Sequence, residues 1–169
     1  LMAIVEEASA WNTYVAAHSY TPRSSQHAVE CGVRTIEHGN LIDVETANAM
    51  AKNNAFLVPT LITYDAMDRN GAALGLPQAS IHKLQKVKDE GFNAVSLCRE
   101  AGVKVGFGTD LLGGLQSEQS VGFRTQNEVD SNRDVLVSAT SVNAEILNRQ
   151  DELGFIGTGA KADLLLVDG

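Results

Sequence analysis

Cysteine is nearly absent from this chain of 169 residues, which holds two, Cys31 and Cys98, in no CxxC spacing. Such usage builds no disulfide framework and suits a reducing compartment, with both residues read as buried free thiols near helix ends. Long apolar runs are missing too. Residues 55–58 and 164–167 are among the longest, far below the ~20 that a membrane-spanning helix needs. Basic residues are outnumbered, 13 Lys and Arg against 21 Asp and Glu, for a net charge of −8. That balance lacks the clustered positive charge by which nucleic acids and anionic membranes are bound. No secretory signal opens the chain, and no internal repeat or low-complexity tract interrupts it. These absences leave a cytoplasmic protein with a small-molecule partner as the expectation, without nucleic acid or membrane.

What is present is the composition of one globular domain, 44% hydrophobic, and an alternation of apolar runs with helical patterns. A helix over 2–10 precedes an apolar stretch over 14–17 that stops at His18. A helix over 24–30, closed by Gly32, leads into a strand over 33–37 that stops at His38. Asp43 suits the N-cap of a helix ending near residue 52. A strand over 55–58 halts at Pro59, which cannot donate to a central ladder. A long loop over 60–77 follows, then a helix over 79–100 ended by Gly102. A strand over 103–107 runs into the GTD at Asp110. Helices over 117–128 and 133–147 come last, the second capped by Ser131 or Asn132. The tail from Leu153 is Gly-rich and then apolar, and reads as a hairpin or a paired strand.

Strand, helix, strand, helix with short connections predicts a parallel sheet with right-handed crossovers. A doubly wound sheet and a (β/α) barrel both fit. Leu1 falls inside an amphipathic run, and the run ADLLLVDG ends at Gly169 with no following strand to pair with. The expectation is therefore a segment of a longer chain.

Three of the four strands end in a metal-ligand residue type, in TYVAAH, VRTIEH and VKVGFGTD. Parallel α/β folds gather their chemistry at the carboxyl ends of strands. His18, His38 and Asp110 would meet there. Two imidazoles and a carboxylate suit a borderline ion such as Zn²⁺, which lowers the pKa of a bound water towards ~7. The side-chain period of two places Gly108 and Gly106 on the Asp110 face and Ala16 on the His18 face. Those small residues either make room for metal and substrate or relieve crowding. His27 and His82 sit in helical patterns and read as solvated, and the charges of residues 83–90 read as an exposed helix face.

The blocks HSYT, GVRTIEHGNLID, LVPTLITYDAM, AGVKVGFGTDLLG and LGFIGTGAKADLLLVDG resemble, in order, the amidohydrolase superfamily, most closely its imidazolonepropionase-like and Xaa-Pro dipeptidase (prolidase)-like branch. The resemblance implies an α/β fold: residues 1–150 as about strands five to eight of a metal-dependent (β/α)₈ TIM-like barrel, and residues 151–169 as the returning segment of a small β-sandwich domain. It places the fifth- and sixth-strand metal ligands on His18 and His38. The eighth-strand aspartate, which binds the other metal and moves protons, falls on Asp110. The His-x-His pair and bridging carbamylated lysine of a binuclear Zn²⁺ site would lie upstream of Leu1. Tyr20 resembles a tyrosine that contacts the scissile group, and a packing tyrosine is the other reading. Thr60, Tyr64 and Asp65 fall in the loop that shapes the substrate pocket. Gly157-Thr158-Gly159 departs from the family's proline–glycine turn, away from the site. The implied function is hydrolysis of an Xaa-Pro dipeptide or N-acyl amino acid by metal-activated hydroxide, in a full-length homo-oligomer. A cyclic amidohydrolase of the imidazolonepropionase type and a non-catalytic barrel scaffold are the alternatives.

Overall fold

A computed structural model describes residues 1–73 and 75–167. The elements run α1 (Met2–Ala10), β1 (Ala16–Ser19), α2 (Pro22–Glu30), β2 (Thr35–His38), α3 (Val44–Lys52), β3 (Phe56–Val58), α4 (Leu61–Asn70), α5 (Gln78–Glu100) and β4 (Lys104–Val105). A 3₁₀ turn (Gly113–Glu118), α6 (Val121–Gln126) and α7 (Asn132–Val137) follow. A π turn (Ser138–Val142) then leads into α8 (Asn143–Ile146). All strand pairs are parallel and stand in chain order, β1-β2-β3-β4. No reversal of direction falls among the four, so the sheet is singly wound over this stretch.

Alternation divides the sheet into two faces. Ile36, Leu57 and Val105 are fully buried on one of them. There they join Ala28 and Val29 of α2, Ala47 and Met50 of α3, and Val95 and Cys98 of α5 in one apolar cluster. Each large side chain so buried contributes roughly 1.5–3 kcal/mol. The other face carries polar chemistry, because the register sets His18 beside Glu37 and Glu37 beside Val58.

Side-chain caps mark three of the helix starts. Thr21 caps α2 ahead of Pro22, Asp43 accepts from the Thr46 N–H at 2.8 Å to cap α3, and Ser131 caps α7. The stretch over 60–77 departs from the expected loop: its first part is the helix α4, with Leu61, Ile62, Thr63, Tyr64 and Ala66 buried. No side chain caps this helix. Thr60 instead takes a left-handed conformation (φ 47°) directly after Pro59 and turns the chain into the helix. The predicted helices over 117–128 and 133–147 are likewise broken, the first by a 3₁₀ turn and the second by the π turn. The tail forms no strand among the described residues, and Leu164, Leu165, Leu166 and Val167 are exposed. The end of the expected paired strand, residues 168–169, lies outside those described. Cys98 is buried as expected, whereas Cys31 is half-buried, and both are free thiols. Among the described residues no helix is long and apolar enough to cross a membrane.

Candidate active site

The carboxyl ends of β1, β2 and β3, with the segment that follows β4, converge on one end of the sheet. By alternation His38 shares a face with Ile36, opposite to Glu37 and His18. Its backbone overrides that, for His38 has φ 75° and Gly39 after it φ 62°. The imidazole leaves the pleat and crosses the strand end, where His38 Nε2 meets His18 Nδ1 at 2.8 Å. The other ring nitrogen, Nδ1, is 2.8 Å from Thr60 Oγ1. Tyr20 stacks on the His38 ring at 4.9 Å and 17°. Tyr64 meets the same ring edge-on, and its hydroxyl donates to the Tyr20 hydroxyl at 3.1 Å.

Left-handed backbone marks this end of the sheet. Six non-glycine residues have positive φ among those described. Three are asparagines, Asn12, Asn54 and Asn148, a residue type that tolerates the conformation. The others are His38, which ends β2, Thr60, two residues past β3, and Asp110, in the segment that follows β4. Such strain, about 1–3 kcal/mol per residue, persists where surrounding contacts over-determine it, and clusters at functional sites.

Charge follows burial. Desolvation holds the His38 imidazole below the usual histidine value, outweighing the pull of Asp110, so the ring is neutral with a lone pair to offer. Burial lifts the Glu37 carboxyl above its ordinary range despite a hydrogen bond from Thr35 Oγ1 at 2.7 Å. Burial and then the Tyr20 hydroxyl push the Tyr64 phenol far upward, so that it stays a donor. Asp110 is exposed, its carbonyl accepts from Thr63 Oγ1 at 3.0 Å, and its charge is felt at His38, Glu37 and Tyr64.

The candidates thus sort plainly. His18, His38 and Tyr20 stand together, and Asp110 is at the same end of the sheet. Thr60 and Tyr64 join them. Asp65 does not, since Arg69 and Lys88 hold its carboxylate. His27 and His82 are exposed. A Cβ on Gly106 would come within 2.7 Å of Asn143 and Ile146, and one on Gly108 within 2.7 Å of Val58, so these glycines relieve crowding rather than open a void. Glu37 and Thr63 escaped the sequence reading. Alternation with His18 is the available signal for Glu37, whereas Thr63 lies in the stretch over 60–77, where the sequence predicts a loop and the structure has α4.

Two facing imidazole nitrogens fit a metal. Ligands of a tetrahedral Zn²⁺ at about 2.0–2.1 Å stand about 3.3 Å apart, close to the 2.8 Å between His18 and His38. Among the described residues no cluster of three His, Cys, Asp or Glu is placed to hold an ion, so the pair is a partial donor set.

Known proteins share this fold. A prolidase solved in complex with N-methylphosphonate-L-proline superposes with a TM-score of 0.91 at 52% identity, over 96% of this chain and 40% of its own. A Xaa-Pro dipeptidase with methionine bound in its active site gives 0.84 at 27% identity, over 95% of this chain and 40% of its own. The ochratoxinase of Aspergillus niger is 26% identical over 170 residues, 99% of this chain and 35% of that protein. The chain thus spans about two-fifths or less of the length of these relatives. The profile of the amidohydrolase family matches residues 1–169, and with that match over the whole chain and its parallel sheet, the chain belongs to the amidohydrolase family.

Proposed function

We propose that this chain forms the latter part of the barrel of a metal-dependent amidohydrolase that cleaves the amide bond of an Xaa-Pro dipeptide or an N-acyl amino acid. In this reading β1 to β4 are strands five to eight, and residues 151–169 return to a small β-sandwich domain. A His-x-His pair and a carbamylated lysine from preceding sequence complete a binuclear Zn²⁺ site. The observation that carries the proposal is the approach of His18 Nδ1 and His38 Nε2 beneath the ring of Tyr20. The prolidase and Xaa-Pro dipeptidase among the structural relatives favour the Xaa-Pro bond.

His18 and His38 would hold one metal, and Asp110 would face the second. Metals held there would supply Lewis acidity for activating water and polarising the amide carbonyl. Asp110 takes the proton from the attacking water and returns it to the leaving nitrogen. The Tyr20 hydroxyl accepts from Tyr64 and keeps its own proton to donate to the developing oxyanion.

The test is an assay of the metal-replete full-length protein against Xaa-Pro dipeptides, N-acyl amino acids and a cyclic imidazolone. Turnover of the dipeptides is expected to lead. Preference for the cyclic amide would move the protein to the imidazolonepropionase-like alternative. Absence of stoichiometric metal together with absence of turnover would make it a scaffold.

A further inference from the structure

Three hydroxyls in and beside the first turn of α4 reach three different residues of the site. Thr60 Oγ1 lies 2.8 Å from His38 Nδ1, Thr63 Oγ1 donates to the Asp110 carbonyl at 3.0 Å, and Tyr64 donates to the Tyr20 hydroxyl at 3.1 Å. Thr63 and Tyr64 lie in the first turn of α4, and Thr60 stands immediately before it. All three residues are at most 5% exposed, so none has water as an alternative partner. The price of this placement is a β-branched residue at φ 47°, a genuine backbone outlier.

We propose that the first turn of α4 is a positioning template for the active site, with Thr60 setting the orientation and tautomer of His38. This deepens the proposed metal-dependent reading and rests on it. Thr60 Oγ1 accepts from His38 Nδ1–H, and the proton on Nδ1 leaves the Nε2 lone pair directed at His18 and at any metal between them. A ligating histidine needs such a partner, because an imidazole that turns or changes tautomer presents N–H where the ion needs a lone pair. Thr63 holds the backbone of Asp110, itself left-handed. Tyr64 holds the hydroxyl of Tyr20. One helical turn thereby ties together residues from β2, from the end of β1 and from the segment after β4.

The experiment uses the full-length protein and the variants Thr60→Val, Thr60→Gly and Thr60→Ser, with Zn²⁺ as the probe. Zn²⁺ affinity is read by chelator competition, and the ring ¹⁵N shifts of His38 report its tautomer in the metal-free state. Val keeps the branched shape without the hydroxyl. Gly removes the hydroxyl and the backbone strain together, so a purely structural role predicts a protein at least as stable with unchanged affinity. Loss of Zn²⁺ affinity by ~10–100-fold in both variants, with Ser close to wild type, is the expected result. Val or Gly binding Zn²⁺ as wild type does would overturn the proposal. Should the wild type itself bind no Zn²⁺, the metal-dependent reading fails on its own. The template then stands if His38 carries its proton on Nδ1 in the wild type and loses that preference in Thr60→Val and Thr60→Gly, and falls if the tautomer is indifferent to residue 60.

Discussion

His18 and His38 stand on opposite parities of neighbouring parallel strands, yet their ring nitrogens approach to 2.8 Å, because His38 alone of the two leaves the extended backbone. If the pair holds metal, His18→Asn and His38→Asn in the full-length protein should each weaken Zn²⁺ binding by more than ~100-fold, beyond the ~10–100-fold cost of losing an outer partner. Asn tolerates the left-handed backbone at position 38, so the fold should survive. Metal analysis after dialysis checks this, and a variant that retains wild-type metal removes its histidine from the ligand set.

Asp110→Asn keeps the shape of the side chain and removes its capacity to take a proton. The expected result is a drop in kcat of ~10²–10⁴-fold in the metal-replete enzyme, with the far-ultraviolet spectrum of the wild type. Near-normal turnover would assign proton transfer elsewhere.

Asn143, at the start of α8, donates to the Phe107 carbonyl at 2.8 Å and accepts from its N–H at 3.0 Å. It thereby closes the backbone just before Asp110 where the β4 ladder has ended. Asn143→Ala should cost about 1–3 kcal/mol by leaving these groups unpaired. Gly106→Ala should cost a similar amount by overpacking against Asn143 and Ile146. Urea unfolding of the full-length variants measures both, and unchanged midpoints would show that this end of the sheet is held by other contacts.

The helix that carries the template is anchored to α5 by Lys88, which reaches Asp68 at 3.0 Å and Asp65 at 3.2 Å. The Lys88 ammonium and then the Gln85 amide hold the Asp68 carboxyl below its usual range. A depressed folded-state pKa contributes stability that is present above the ordinary Asp value of about 3.9 and is lost as pH falls through the lower folded value. Asp68→Asn should therefore be less stable than wild type by up to about 1 kcal/mol near neutrality, with the gap closing in acid. A gap that stays constant from pH 7 to pH 2 would contradict the ionic origin.

Residues 1–169 expressed alone should be oligomeric or poorly soluble and inactive. Leu165 is 93% exposed, Ala16 and His18 face solvent on the edge strand β1, and an open parallel edge invites association. Size-exclusion chromatography with a dipeptidase assay decides it. An active, stable monomer would show that the site needs nothing further.

Periodicity and capping chemistry were sufficient for the alternation of strands and helices, for the cap at Asp43, for narrowing the cap of α7 to Ser131 or Asn132, and for the strands that lead to His18, His38 and Asp110. Those signals are local, and a local code is readable in one dimension. The helix α4 was not readable, because its start depends on the left-handed turn at Thr60, which no local propensity signals. That strained turn is held by a bond to a histidine 22 residues earlier. The crossing of His38 to the His18 side, the burial of Glu37 and the pairing of Tyr64 with Tyr20 likewise arise from contacts between distant segments. Short-range propensity sets where elements start and stop. Only the packed tertiary structure decides which rare backbone conformations are sustained, and with them which side chains meet.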